Sequence, residues 1–364
     1  MVKAKDIHHV GFFVSSDSWI NHQQWHYQVS KALYDRGYRV SVITSRKRRL
    51  YAKSRRYGVP VQPYRKGTFL LQSIMHLVRI LKHAHISILF INHPKDLRNA
   101  SIAAWLAGVD KVMYRRGTVS HINNNLINRR ILNRLISRVI TNSDANKEIM
   151  TRDERTLYDP NKVEVIYHGV DINGFDQKSL LLHNFRKNGE MVVGMLAGHF
   201  SKARFLQLVS LIQRDKQKLH QYRFIVYGSR SHKDRLLRRL KAKCINGELV
   251  CWDTRSNTLL DFMHSIDVFF SENHHHYFNY PILYAMALQK PVIGIDQGSI
   301  PEMIQDYTNG FLIRTDNIQA VREKLQVLTD PDLRFNMGQE SRKMVHRKFN
   351  FEHAIDRIEQ LIGS

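Results

Sequence analysis

The sequence predicts an α/β protein made of two doubly wound parallel-sheet domains facing a cleft. Three observations lead there. Short apolar runs alternate with helix-like segments along the whole chain, which is the rhythm of βαβ units. At 364 residues the chain is too long for one ordinary domain, and two of roughly 170–190 residues are the natural division. Between Val268 and Glu302, the runs Val268–Phe270 and Val292–Ile295 are each followed by a polar turn and a segment opened by a proline, Pro281 and Pro301. Proline is pre-set for the first helical turn and wastes no donor there, so two strand–loop–helix units are expected in tandem.

The elements follow in order. His9–Val14 reads as a buried strand. Gln23–Arg36 carries Trp25, Val29, Ala32 and Leu33 at helical spacing, and Gly37 stops it. Val40–Thr44 is the next strand, Phe69–Leu81 an apolar helix, Ile88–Ile91 a strand and Ala100–Leu106 a helix. Lys111–Tyr114, Val139–Thr141 and Val163–Ile166 continue the strands. A second series runs through Met191–Leu196, Phe224–Tyr227, Leu249–Cys251, Val268–Phe270, Val292–Ile295 and Phe311–Ile313. From Asn317 onward the pattern is helical, with a break at Pro331. The expected domains are 1–170, 171–345, and a C-terminal helix over 346–364 packing back on the first. The hinge is expected between His168 and about Gly189. No tandem repeat is visible.

Composition narrows the class. Apolar residues make up 43% of the chain, enough for two cores. Cys244 and Cys251 are the only cysteines, so disulfides are no framework and a reducing, cytoplasmic setting fits. The start is charged without a long apolar stretch, which argues against a secretory signal. No run of about 18 apolar residues exists, so nothing is expected to span a membrane. The net charge is +24, and it is lopsided: residues 1–170 hold 29 Lys/Arg against 11 Asp/Glu, the rest 27 against 21. A basic first half predicts a polyanionic partner, either nucleic acid or an anionic membrane face. The run Arg46, Lys47, Arg48, Arg49, Lys53, Arg55 and Arg56, with Leu50, Tyr51 and Tyr57 interleaved, could lie on lipid headgroups or bind nucleic acid; it could also be an exposed charged helix.

Helix starts at the carboxyl ends of parallel strands are anion sites, because free amides and the helix dipole point at the ligand. A phosphorylated ligand is therefore expected at the Pro281 helix. There the amides of Ile282 and Leu283 are donors, since Pro281 has none, and Asn279 and Tyr280 flank the turn. The dinucleotide fingerprint G-x-G-x-x-G is missing after the first strand, as is the Walker A sequence. The consecutive His274, His275 and His276 point in different directions and lack spaced partners, so no metal site is expected. The Asp330-Pro331-Asp332 triplet reads as a capping turn.

Beyond architecture, the chain resembles glycosyltransferase family 4, nucleotide-sugar-dependent retaining transferases of GT-B fold with two Rossmann-like domains. The resemblance rests on five stretches in the right order. Ala32–Val40 (ALYDRGYRV) is similar to the family's A-L-x-x-R-G-H-x-V, and His168-Gly169-Val170-Asp171 with Phe175 to N-G-V-D-x-x-x-F. Gly198–Leu208 resembles G-R-L-x-x-x-K-G-x-x-x-L. His276–Ala287 (HYFNYPILYAMA) with Lys290–Ile293 resembles E-G-F-G-x-P-x-x-E-A-M-A followed by G-x-P-V-I; Gly298–Glu302 resembles G-G-x-x-E. Two departures stand out. The family's paired Glu positions are His276 and Tyr284 here, and its diphosphate-holding Arg and Lys fall on His199 and Arg204.

The resemblance implies a hexosyltransferase-like activity, retaining and metal-independent, with a UDP- or GDP-sugar as donor substrate and no cofactor. It implies a glycan or lipid-linked acceptor in cell-surface polysaccharide or lipopolysaccharide synthesis, worked on at the inner face of the membrane. Arg204 is the expected diphosphate ligand, with Lys202 second; His199 is a donor to phosphate or sugar, or a surface residue. Gly228 lies at the base-side turn and Glu302 in the donor loop motif. His276 occupies the position of a sugar-contacting Glu, with Glu272 nearby in the loop. His93, ending the ILFIN strand, is a general base, an orienting group or a helix cap. Arg115 and Arg116, ending another strand, point to an anionic acceptor or a donor phosphate. A nucleic-acid partner would explain the charge but not the donor-loop motifs. The replaced Glu pair keeps open a non-catalytic GT-B-like protein that binds an anionic glycan, membrane or nucleic acid.

Overall fold

The structure, a computed structural model, describes residues 8–15, 24–117, 122–153, 157–176, 182–185, 189–197, 221–228, 250–252, 258–272, 278–314 and 318–364, with positions 203, 207, 208, 210 and 256 standing singly. The chain divides into two compact units: residues 1–167 with 352–364, and residues 168–351.

In the first unit the strands are β1 (His9–Phe13), β2 (Arg39–Thr44), β3 (Val61–Pro63), β4 (Ile88–Ile91), β5 (Lys111–Arg116), β6 (Arg138–Thr141) and β7 (Val163–Val165). The helices between them are α1 (Gln24–Asp35), α2 (Arg49–Tyr57), α3 (Leu70–His83), α4 (Pro94–Ala107), α5 (Leu126–Arg130) and α6 (Asp144–Glu148), the last two each prolonged by a π-helical turn. All pairings are parallel, in the order β3-β2-β1-β4-β5-β6-β7. Central strands covered on both faces must be apolar throughout, and β4, ILFI, is buried at every position. α1 buries Trp25, Val29 and Leu33, one residue per turn, and Gly37 follows at φ 87°. α3 buries Ile74, Leu77, Val78 and Leu81 into the core beside Ile43, Ile91 and Leu97.

α4 begins six residues before the expected Ala100, because its first turn, PKDLRN, is polar but well capped: Pro94 sits at the start and the His93 side chain accepts from Lys95 N. β3 was not foreseen. It is a three-residue edge strand ending in Pro63, too short and polar to show a period.

In the second unit come α7 (Ile172–Asp176), β8 (Met191–Leu196), β9 (Tyr222–Tyr227), β10 (Val250–Trp252), α8 (Leu259–His264), β11 (Val268–Ser271), α9 (Tyr280–Ala287), β12 (Val292–Ile295), β13 (Gly310–Ile313), α10 (Ile318–Val327) and α11 (Pro331–Lys348). The sheet is again parallel, in the order β10-β9-β8-β11-β12-β13. Its core joins Val193, Met195, Phe224, Phe270, Ile293 and Phe311 with Leu325 and Met337 from the helices behind.

Two expectations are corrected. Pro301 opens no α-helix: Ile300–Glu302 is a single 3₁₀ turn, and the chain proceeds directly to β13, with Met303 and Ile304 buried beneath it. Residues 346–364 are not one helix either. α11 ends at Lys348, Phe349 and Asn350 interrupt it, and α12 (Phe351–Gly363) starts afresh. The interruption has a cause: Val170 N donates to Phe349 O at 2.8 Å and Phe351 N to Val170 O at 3.2 Å. A Cβ on Gly169 would stand 2.2 Å from the Asn350 carbonyl carbon, so only glycine permits the approach. Within the first unit, α12 buries Ile355, Ile358, Leu361 and Ile362 and presents Glu352, Asp356 and Glu359 to Arg36.

Candidate active site

In open parallel sheets, ligands bind outside the carboxyl ends of the strands, where successive connections depart in opposite directions. In the second sheet that point lies between β8 and β11, since β9 and β12 are on opposite sides of the pair. The register sets Phe270 beside Met195 and Ser271 beside Gly294, so Ser271, Glu272, Leu196 and Ala197 gather on one edge, with Tyr227 and Gly228 at the end of β9. Glu272 is 3% exposed, a carboxylate buried at the strand end.

α9 starts at this edge. Asn279 is buried and donates from Nδ2 to Ser271 Oγ at 2.9 Å, tying the helix start to β11. Tyr280 lies edge-on to His168, with ring centroids 4.6 Å apart, and Phe278 packs on both Tyr280 and Phe349. An aromatic cluster thus holds the helix start in place. The amide of Ile282, expected to face a ligand, instead donates to Asn279 O at 3.1 Å and closes the first turn, which leaves Leu283 as the candidate amide donor. Tyr284 packs edge-on against Phe175 at 5.5 Å, and burial pushes its phenol pKa up. It is a packing residue where the resembling family carries a carboxylate. Glu302 lies on the 3₁₀ turn after β12, partly buried, and its carbonyl accepts from Lys348 Nζ. Asp330 caps α11 through its side chain, accepting from Asp332 N and Leu333 N, as the capping reading of the triplet expected. His199, Lys202, Arg204 and His276 lie outside the described residues. Among the described residues no group of three or more His, Cys, Asp or Glu is placed to hold a metal ion.

The first sheet has its own switch point, between β1 and β4. His93 stands there as the cap of α4. Its Nδ1 accepts from Lys95 N at 3.1 Å, so the neutral ring carries its proton on Nε2. Burial, helped by Lys95, lowers its pKa below the ordinary value and keeps it neutral. This geometry makes His93 a hydrogen-bond donor at Nε2, suited to orienting a hydroxyl or phosphate and not to taking a proton there. Beside it lies a residue that motif reading missed. Asp96, 3% exposed, accepts from Ser15 N at 2.9 Å and from Ser15 Oγ, and burial pushes its carboxyl pKa up against those bonds. An acid in the first turn after Pro94 was the available signal.

Arg115 and Arg116 do not face a ligand together. Successive strand residues point to opposite faces, and both side chains are buried. Arg115 donates to Asn92 Oδ1 at 3.1 Å and lies 4.8 Å over the Trp25 ring; Arg116 donates to Tyr158 Oη at 2.7 Å and stacks on that ring. Arg115 therefore braces the strand end that precedes His93, and Arg116 braces the segment before β7.

The basic run splits by geometry. Arg46, Lys47, Arg49, Arg55 and Arg56 are exposed, whereas Arg48 reaches back to Ser15 O at 3.2 Å. Lys53 lies 5.4 Å over the Tyr27 ring, and burial, then Arg49, lowers its pKa. Leu50 and Ser54 anchor α2 inward, so Arg49, Lys53, Arg55 and Arg56 lie on an amphipathic surface helix, and Arg46, Lys47 and Arg48 form the turn before it. No described helix is long and apolar enough to cross a membrane.

Two family models divide the chain. Residues 24–173 match Glycosyltransferase Family 4, and residues 176–344 match Glycosyl transferases group 1. The chain belongs to the group 1 and family 4 glycosyltransferases. Among curated relatives, it is 34% identical over 85 residues to N-acetyl-alpha-D-glucosaminyl L-malate synthase of Bacillus anthracis, 23% of this chain and 22% of the relative. It is 23% identical over 207 residues to poly(ribitol-phosphate) alpha-N-acetylglucosaminyltransferase of Staphylococcus aureus strain COL, 53% of this chain and 41% of the relative. The matched stretches thus span less than half the length of either relative. Among solved structures, a glycosyltransferase from Rickettsia africae ESF-5 has a TM-score of 0.85 at 16% identity, over 98% of this chain and 97% of that one. Anabaena HepE in complex with UDP has a TM-score of 0.77 at 17% identity, over 98% and 99%. The chain shares the fold of these structures, two Rossmann-like parallel-sheet domains of GT-B type.

Proposed function

We propose that the chain transfers a sugar from a UDP- or GDP-sugar to a glycan or lipid-linked acceptor, with retention of configuration and without a metal. The observation that carries this is the start of α9, pinned at the β8–β11 switch point beside buried Glu272. Such a helix start favours the diphosphate of a sugar nucleotide. HepE, of similar fold, has been solved with UDP and with UDP-glucose, which supports a uridine donor. As the bond from the anomeric carbon to the diphosphate breaks, charge builds on the leaving phosphate, and Arg204 with Lys202 would neutralise it. The acceptor oxygen takes the vacated bond on the same face, and its proton passes to the leaving diphosphate oxygen, where the negative charge develops. A tyrosine at 284 cannot accept two sugar hydroxyls as a carboxylate does, so Glu272 is the group that takes that role. The donor sugar then differs from that of relatives with a Glu pair. His93, donating from Nε2, orients the sugar or its phosphate. The setting we assign is a peripheral one at the inner membrane face, in cell-surface polysaccharide or lipopolysaccharide synthesis.

Calorimetric titration with UDP and GDP tests the reading. One nucleotide should bind, and Arg204→Ala should weaken it by at least about tenfold, the loss of one charge-assisted phosphate contact. Absence of binding by either nucleotide removes the enzyme reading. Binding with no transfer to any acceptor, together with no hydrolysis of sugar nucleotides, would favour the non-catalytic alternative that Tyr284 keeps open.

A further inference from the structure

The exposed first-unit surface beyond the carboxyl ends of β2 and β3 holds a cavity of about 700 Å³, within the size range of ligand sites. Arg46 and Lys47, just after β2, and Arg65 and Lys66, just after β3, line it. Its floor is Tyr64, buried edge-on to Phe13 at 5.0 Å and stacked on His76 of α3 at 5.5 Å. His76 Nδ1 is 3.1 Å from Arg65 O, which ties the loop after β3 to α3. Among the described residues no carboxylate forms an ion pair with any of the four cations. Lys66 acts on buried Asp96 through its charge, and the Asp96 oxygens accept from Ser15 N and Ser15 Oγ. Four like charges line one cavity, and among the described residues none of them is in an ion pair, an arrangement that suits an anion.

A second feature adjoins it. Immediately beyond Lys66 and Gly67, the start of α3 holds Phe69 (67% exposed), Leu70 (50%), Leu71 (69%) and Met75 (39%) in the open. Scattered surface leucines need no explanation, but four large apolar side chains exposed within seven positions of one helix start concentrate apolar surface there. A cationic cavity bordered by an apolar shelf matches an anionic head on a hydrocarbon chain. We propose that this cavity binds the phosphate of a lipid-linked acceptor, with the chain of that lipid lying on Phe69, Leu70, Leu71 and Met75. A nucleic acid would use the cations but not the shelf. The word acceptor rests on the glycosyltransferase reading; the binding does not.

The test uses the full chain with saturating UDP present, so that the phosphate probes do not compete for a nucleotide site. Methyl phosphate and dodecyl phosphate, the latter below its micelle concentration, are titrated into wild type, Arg65→Glu/Lys66→Glu and Leu70→Ser/Leu71→Ser. These positions are exposed, so both variants should fold, and melting curves check it. Dodecyl phosphate should bind wild type at least about tenfold more tightly than methyl phosphate does. The charge variant should lose both ligands, and the shelf variant should lose only the advantage of the chain. Unchanged binding in the charge variant overturns the proposal, and so do equal affinities for the two phosphates. Binding to phosphatidic acid vesicles without binding to monomeric dodecyl phosphate also overturns it, since that is attraction to a charged surface. Titration of UDP alone bears on the donor reading and leaves this result unaffected.

Discussion

Removing one guanidinium should loosen the last helix of the chain. Arg36 Nη1 lies 2.7 Å from Asp356 Oδ1 and 2.7 Å from Glu359 Oε2, and Nη2 lies 2.5 Å from Glu352 Oε2. These bonds hold the Arg36 pKa well above the usual guanidinium value, despite partial burial. Arg36 and Glu359 keep 23% and 22% of their side-chain surface, while Glu352 and Asp356 keep 61% and 55%. Exposed pairs contribute about 0.2–1 kcal/mol each, so the three together give about 1–2 kcal/mol, with Glu359 at the upper end. Without Arg36 the three carboxylates, spaced at one-turn intervals on one helix face, repel by a few tenths of a kcal/mol per pair. Arg36→Ala should therefore cost about 2 kcal/mol, or about 4–8 °C in melting temperature for a unit of this size. The assay is urea unfolding in low salt and again in 0.5 M NaCl, where screening should shrink the loss to about half. A loss below about 0.5 kcal/mol in low salt would refute the reasoning: α12 would then be held by Ile355, Ile358, Leu361 and Ile362 alone.

Three further outcomes are expected. Arg115→Ala removes the buried hydrogen bond to Asn92 Oδ1 and the cation over Trp25, which together should cost about 2 kcal/mol in denaturant unfolding; a loss under about 0.5 kcal/mol would mean the two contacts are incidental. Gly169→Ala should drive the backbone away from Asn350 and break both hydrogen bonds of Val170, lowering stability by about 2–3 kcal/mol; a crystal structure keeping both bonds would contradict this. His93 is neutral in the folded chain below the pH at which the unfolded chain, with a pKa near 6.5, takes up a proton. Its share of stability is therefore whole above about pH 6.5 and declines as the pH falls toward the folded pKa. His93→Asn keeps a capping oxygen but not the titration, so its stability should fall less between pH 7 and 5 than that of wild type; parallel curves would exclude the assignment.

The sequence by itself determined the two-sheet α/β class, most strand positions and the family. Those features are local: a central strand such as Ile88–Ile91 must be apolar on both faces, and Pro281 can only open a helix. Motif spacing also located the Asn279–Tyr280 turn, because the helix-start chemistry there is carried by consecutive residues. Tertiary structure decided the direction and company of each side chain. Arg115 and Arg116 looked like a ligand-facing pair and turned out to be separate buried braces, since alternation along β5 and the aromatic partners Trp25 and Tyr158 are settled by distant parts of the chain. Asp96 became visible only when Ser15, 81 positions away, met it. The break at Phe349–Asn350 likewise depends on Val170 and cannot be read from a helical pattern. Periodicity reports what a segment buries; it does not report which remote atom will satisfy a polar group, and that pairing positions His93, Asp96 and the start of α9.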